Sequence, residues 1–286
     1  MEQVTSESVR SRDGTKISYQ IYGRGRKTIV FVPGLAVPNL AYSPLMSALG
    51  DYKFITWHSR GTYQSDRPTR RNFLVEDHVA DLEAIVKKEK LSDFCLAGWS
   101  LGVQTILCFS HRHPEITKSM ILLNGSFKGL IDCRIGHLSP TVNLGLKIAK
   151  PLGKIIDPST RWLARKDLRY LKPLLKYSRL SKNPDDFFMN VLKEFVAQPM
   201  DVMIETIRGA EEFSAEHLLP QIQTPAFISS GTHDPFVPIR LCRDLAKRLV
   251  NSELYEIDGG THYTLIEQPN LIIPPIKRFL ETTFSR

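Results

Sequence analysis

A five-residue run, Gly98-Trp99-Ser100-Leu101-Gly102, restricts what this 286-residue chain can fold into more than any other feature. The apolar segment Phe94-Cys95-Leu96-Ala97 precedes it, and a helical pattern from Leu101 towards His111 follows at once. The run must therefore turn a strand sharply into a helix. The backbone of a serine on such a turn is strained, and glycines two residues to either side meet the steric demand. Because the helix begins at the serine, its unpaired N–H groups and positive end favour an anion developing there. Glycine-x-serine-x-glycine alone is a weak signal; the strand before it and the helix after it make Ser100 a candidate nucleophile.

A serine hydroxyl attacks only when a base takes its proton, and the base needs an acid to orient it. After a turn of this kind the partners follow in the order serine, acid, histidine. Downstream, Ser230-Gly231-Thr232-His233-Asp234-Pro235 closes the strand-like run Ala226–Ser229, and Asp258-Gly259-Gly260-Thr261-His262 closes the next such run. Asp234 and His262 thus fall just beyond the carboxyl ends of strands, where α/β sheets carry their sites. Asp258 is too close to His262 and reads as a turn cap, while His233 would break the order of acid before base. The segment Leu122-Leu123-Asn124-Gly125-Ser126, an alternative place for the acid, holds no carboxylate. His58, His78, His111, His113, His137 and His217 have no comparable setting, and most read as surface residues. For the oxyanion, the N–H of Leu101 pairs with one from Val32-Pro33-Gly34-Leu35-Ala36, where Gly34 permits the turn and Leu35 offers its N–H.

Around these residues the first 127 positions alternate strand and helix rhythms, as an α/β sheet requires. Lys16–Tyr22 alternates with period two, as an antiparallel edge strand should; Thr28–Val32, Tyr52–Trp57 and Lys118–Leu123 are short apolar runs suited to buried parallel strands. Val75–Val86 has helical spacing. From about 128 to 213 the chain turns helical and basic, punctuated by prolines at 140, 151, 158, 173, 184 and 199. Strand rhythm then returns at Ala226–Ser230 and Glu253–Ile257, before a last helix at about Pro274–Thr282.

Arg12-Asp13-Gly14-Thr15, the Gly34 loop, Ser59-Arg60-Gly61, the Ser100 elbow, Gly231–Pro238 and Gly260-Thr261-His262 together resemble the α/β-hydrolase superfamily, in its cap-bearing, esterase- and lipase-like branch. The resemblance runs nearly the length of the chain. It implies a mostly parallel eight-stranded sheet flanked by helices, with the core formed by 1–127 and 214–286 and a helical cap by 128–213. It also implies a serine hydrolase that cleaves a carboxylic ester, lipophilic in character, through an acyl-enzyme. Thioester cleavage, C–C hydrolysis by the same triad and a non-catalytic ligand receptor stay open. Neither a metal nor an organic cofactor is implied. Two departures stand out: Pro33-Gly34 replaces the usual His-Gly at the oxyanion turn, and His58-Ser59-Arg60-Gly61 replaces Asp-x-Arg-Gly, where Arg60 reads as a loop anchor. A serine nucleophile argues against haloalkane dehalogenases and epoxide hydrolases, which use aspartate there.

Charge is unevenly placed. Between Lys147 and Lys182 stand eleven Lys or Arg against two Asp, so this stretch supplies the whole of the net charge of +8. Arg161, Arg165, Arg169, Lys172 and Lys176 are spaced as one basic helical stripe beside an apolar one of Ala164, Leu168, Leu171 and Leu175, with Pro173 kinking or restarting the helix. Three readings fit: a lid helix with a solvated face, an interfacial helix on anionic lipid, or an attractor for acidic or CoA-like acyl substrates. Nucleic-acid binding is not expected, because only Trp162 and Tyr170 interleave the stripe. Cys95, Cys108, Cys133 and Cys242 show neither metal nor disulfide spacing, which suggests free thiols. With a polar, acidic start and no membrane-length apolar run, the chain reads as cytoplasmic, or peripheral at a membrane.

Overall fold

Ile29–Val32, Phe94–Ala97 and Met120–Leu123 are buried throughout, so these strands must be covered on both faces by helices. The computed structural model describes residues 4–70, 72–129, 158–159, 162, 165–178 and 180–285. Its strands are β1 (Val4–Arg10), β2 (Lys16–Tyr22), β3 (Lys27–Val32), β4 (Tyr52–Trp57), β5 (Phe94–Trp99), β6 (Thr117–Leu123), β7 (Ala226–Gly231) and β8 (Ser252–Ile257). They form one eight-stranded sheet in the order β1-β2-β4-β3-β5-β6-β7-β8. From β4 onward every neighbouring pair is parallel. β2 is antiparallel as expected, but it is not an edge strand: β1 pairs along its full length and β4 flanks its other side. β1 escapes a sequence reading because Val4-Thr5-Ser6-Glu7-Ser8-Val9-Arg10 is polar and mostly exposed.

Side chains alternating along each strand divide the core in two. Val30, Val32, Leu96, Met120, Leu122 and Ile228 meet helices α2 (Val75–Lys88) and α3 (Gly102–Arg112) on one face. Ile29, Phe31, Cys95, Ala97, Ile121 and Phe227 meet α1 (Ser43–Ala48) and the C-terminal helix (Pro269–Phe284) on the other. That last helix starts earlier than expected and carries Pro274 and Pro275 inside it. Burial of Ile272, Ile276 and Leu280 outweighs the donors the prolines remove.

Between β6 and β7 the described residues form a 3-10 turn (Leu168–Leu171) and helices α4 (Lys172–Tyr177), α5 (Asp186–Val196) and α6 (Met200–Glu211). The single basic stripe is not realised. Asp167 caps the 3-10 turn by accepting from the Arg169 N–H, and α4 begins afresh with Pro173 in its first turn. Arg161 and Ala164 lie outside the described residues. Asp185 caps α5 by accepting from the Phe188 N–H at 2.8 Å. After β7 comes α7 (Ile239–Arg248), and after β8 a single turn, α8 (Thr264–Glu267). Cys95, Cys108 and Cys242 are buried free thiols; Cys133 falls outside the described residues. No helix among the described residues is long and apolar enough to cross a membrane.

Candidate active site

Ser100 occupies the left-handed region, with φ +57°, a conformation that β5 reaches only because its surroundings are small. A Cβ on Gly98 would come within 2.5 Å of Ile106 Cδ1, and one on Gly34 within 2.6 Å of the Trp99 carbonyl. At Gly102 it would run into the carbonyls of Val32 and Pro33. The Ser100 N–H donates to the Leu123 carbonyl at the end of β6, at 2.9 Å, which pins the turn to the neighbouring strand. α3 starts two residues later. Leu101 precedes its first residue, so the Leu101 N–H belongs to the unpaired donors that open a helix.

His262 and Asp234 meet because β7 and β8 are neighbours. His262 Nδ1 lies 2.7 Å from Asp234 Oδ2. A carboxylate only accepts, so Nδ1 is the donor in this bond, and in the neutral imidazole Nε2 is then the nitrogen that can accept a proton. Asp234 is held in turn by four donors: the N–H groups of Phe236 and Val237 reach Oδ1 at 2.8 Å, while His262 and Asn124 Nδ2 (3.0 Å) share Oδ2. The Trp99 indole donates to the His262 carbonyl at 3.0 Å. Phe236 meets the imidazole edge to face, with centroids 5.2 Å apart.

Asn124 is a site residue that its sequence setting does not announce, since its segment shows there only that no carboxylate is present. Its side chain donates to Asp234 and to the Thr261 carbonyl (3.1 Å) and accepts from the Thr264 hydroxyl (2.7 Å). A φ of +46° also suits asparagine better than most residues. The signal available was an asparagine beside a glycine at a strand's carboxyl end. Glu267 makes a second brace. One oxygen accepts from the Thr261 hydroxyl at 2.6 Å; the other accepts from the Ser181 hydroxyl and from the Lys182 N–H. The loop carrying His262 is thereby tied to the segment that leads into α5.

Ser100, Leu101, Leu35 and His262 line one cavity of about 400 Å³. Val37, Pro38, Trp99, Phe236 and Tyr263 also line it, together with Phe188, Val191, Leu192 and Phe195 of α5 and Ile207 and Glu211 of α6. Burial, with the charges of Asp234 and Glu267 nearby, pushes the Tyr263 phenol up to about 12, so it stays protonated. Asp234 lies behind His262 rather than in the cavity wall. Asp258 and His233 are exposed and stand apart from this arrangement, Asp258 accepting from the Thr232 hydroxyl at 3.3 Å.

Arg60 is an internal anchor. It is 1% exposed and its guanidinium bonds Asp81 at 2.6 and 3.0 Å, Asp13 at 2.8 Å, and the carbonyls of Asn72 and Asp77. Two histidines expected at the surface are not there. His58 is buried and stacks on Tyr63, and burial lowers it to about 4; burial also lowers His78, next to this cluster, to about 3. Their neighbours on the strand and helix bury them, which a single polar letter does not reveal. His137 lies outside the described residues.

A family model described as alpha/beta hydrolase fold matches residues 27–269. The chain is similar to the serine hydrolase BPHL of Mus musculus, 25% identical over 91% of this chain and 80% of that protein. It is also similar to a putative carbamate hydrolase, RutD, of Caulobacter segnis, 22% identical over 93% of this chain and 96% of that one. Among solved structures, the enol-lactonase from Burkholderia xenovorans LB400 superimposes with a TM-score of 0.77 at 20% identity, covering 96% of this chain and 100% of its own. A thermophilic esterase from Thermogutta terrifontis gives 0.74 at 17% identity, covering 98% and 99%.

Proposed function

The chain belongs to the alpha/beta hydrolase fold family, and from that premise we propose that it is a serine hydrolase cleaving lipophilic carboxylic esters through an acyl-enzyme. One observation carries the reading: the 2.7 Å bond that aims His262 from Asp234, at a cavity which Ser100 lines from a left-handed elbow.

In this reading Ser100 Oγ attacks the ester carbonyl while His262 Nε2 takes its proton. The N–H groups of Leu35 and Leu101 hold the resulting oxyanion. Asp234 orients the ring and stabilises the imidazolium that forms. Collapse of the tetrahedral intermediate expels the alcohol, which receives the proton from His262. Water, deprotonated by the same nitrogen, then attacks the acyl-enzyme and restores Ser100. Segment 128–213 acts as the cap, with α5 and α6 supplying apolar wall. The lactonase and esterase among the structural neighbours act on ester bonds by their names, which agrees with this chemistry. An apolar wall favours esters over charged acyl groups: each methylene buried there is worth about 0.8 kcal/mol, a factor of roughly four in kcat/KM.

Hydrolysis of p-nitrophenyl esters of graded acyl length tests this. The expected kcat/KM rises with length until the cavity is full and then falls, Ser100→Ala removes the activity, and Leu192→Trp moves the maximum to shorter chains. A folded protein that turns over none of these esters contradicts the ester reading.

A further inference from the structure

Large apolar side chains left in solvent are concentrated near α4. Tyr170, Leu174 and Tyr177 are 62%, 60% and 88% exposed, and Trp162 is 59% exposed. Leu174 and Tyr177, three residues apart, share one side of α4, and Tyr170 lies in the 3-10 turn that leads into it. Other residues of the stretch turn inward: Leu168 is buried, and Leu171 and Leu175 pack against the core that contains Phe188 and Val191. α4 nevertheless buries none of its residues completely. Four residues of this kind in one short stretch are not scattered surface apolars.

Charge says what the patch faces. Arg169 is paired with Asp167 and Lys172 with Asp186, each at 2.7 Å. Arg165, Lys166 and Lys176 are exposed in the same stretch of chain, and the Lys166 ammonium lies 4.9 Å from the centre of the Trp162 ring. A two-fold contact with a second copy through this face would set these cations against their own counterparts. An anionic bilayer offers both complements at once: phosphates for the cations, and an interfacial zone in which Trp and Tyr rings rest.

We propose that this face, Trp162 and Arg165–Tyr177, is an interfacial docking surface for anionic phospholipid membranes. Phe188 and Val191 line the cavity, so a docked α4 lies one packed layer from the cavity wall, next to where lipophilic molecules partition. The inference is independent of what reaction Ser100 performs, because docking is read without turnover.

The test is co-sedimentation of the full chain with phosphatidylcholine vesicles, with and without phosphatidylglycerol. Binding is expected only with the anionic lipid, with a blue shift in tryptophan emission. Trp57 and Trp99 are 1% and 2% exposed, so the shift reports Trp162 and disappears in Trp162→Phe. Neutralising Arg165, Lys166 and Lys176 to Gln lowers partitioning roughly a hundredfold, at about fivefold per charge. The variant Tyr170→Ser, Leu174→Ser, Tyr177→Ser weakens partitioning while thermal stability holds, since these side chains are exposed. Failure to bind anionic vesicles overturns the proposal, as does binding that neither variant weakens. So does a wild-type dimer that the apolar variant converts to monomer, which would assign the patch to a second copy.

Discussion

Removing Asn124 tests whether the Asp234–His262 pair is held from behind or merely adjoins a polar neighbour. Asn124→Ala deletes three hydrogen bonds, at 2.7, 3.0 and 3.1 Å, and abandons the Thr264 hydroxyl, the Thr261 carbonyl and one lone pair of Asp234. Buried polar groups left without a partner cost about 1–3 kcal/mol each. Alanine at φ +46° adds about 1 kcal/mol of backbone strain. With partial relaxation the expected loss is about 4 kcal/mol, a fall in Tm of roughly 10 °C for a chain of this size. On catalysis, Asp234 loses one charge-assisted bond of about 1.5–3 kcal/mol, which limits the drop in kcat to about a hundredfold. Asn124→Asp separates packing from charge. It keeps the shape and the acceptor for Thr264, but sets a second carboxylate where the donor to Asp234 stood. Two carboxylates about 3 Å apart cannot both ionise, so the pair takes up a proton at raised pKa. A raised folded-state pKa means stability is regained as pH falls through it; the Tm deficit of Asn124→Asp at pH 8 should therefore shrink towards pH 5. Differential scanning fluorimetry across that range is sufficient. An Asn124→Asp protein matching wild type at pH 8 in both Tm and kcat would show that Asn124 does not hold the pair.

Glycine sterics and a buried histidine supply two further predictions. Gly102→Ala must displace the Val32 and Pro33 backbone and should cost about 3 kcal/mol or prevent folding, whereas Gly50→Ala, with nothing within 4 Å, should stay within about 0.5 kcal/mol of wild type; urea titration of both compares them. His58, lowered by burial to about 4 against 6.5 in the unfolded chain, contributes stability that is complete above pH 6.5 and is lost on acidification towards pH 4. The loss is about 1.4 kcal/mol per pH unit, or roughly 3 kcal/mol in all. His58→Phe should flatten that limb of the stability profile, and an unchanged slope would contradict the assignment.

What the sequence could reveal follows from which contacts are local. The glycines that flank Ser100 lie within two positions of it, and β3, β5, β6 and β7 announce themselves by continuous apolar runs. β1 does not, because an exposed strand on the sheet's rim carries no hydrophobic pattern. Asn124 was hidden for another reason: its partner Asp234 is 110 residues away, and the two meet only because β6, β7 and β8 lie side by side in the sheet. Nothing in the neighbourhood of Leu123-Asn124-Gly125 encodes that order. The basic stretch misled in a third way. Its charge spacing fits one helix, but Asp167 starts a new turn and Asp186, from a different helix, takes up Lys172. Periodicity is blind to both events.

The chemistry proposed here rests on Ser100 as a nucleophile driven by His262 and Asp234. Intact-mass analysis after exposure to a fluorophosphonate measures this without knowledge of the substrate. A single covalent adduct is expected on a Ser100 peptide, absent in Ser100→Ala and slowed at least a hundredfold in His262→Ala. Folded wild-type protein that remains unmodified, or is labelled equally well without Ser100, would contradict it.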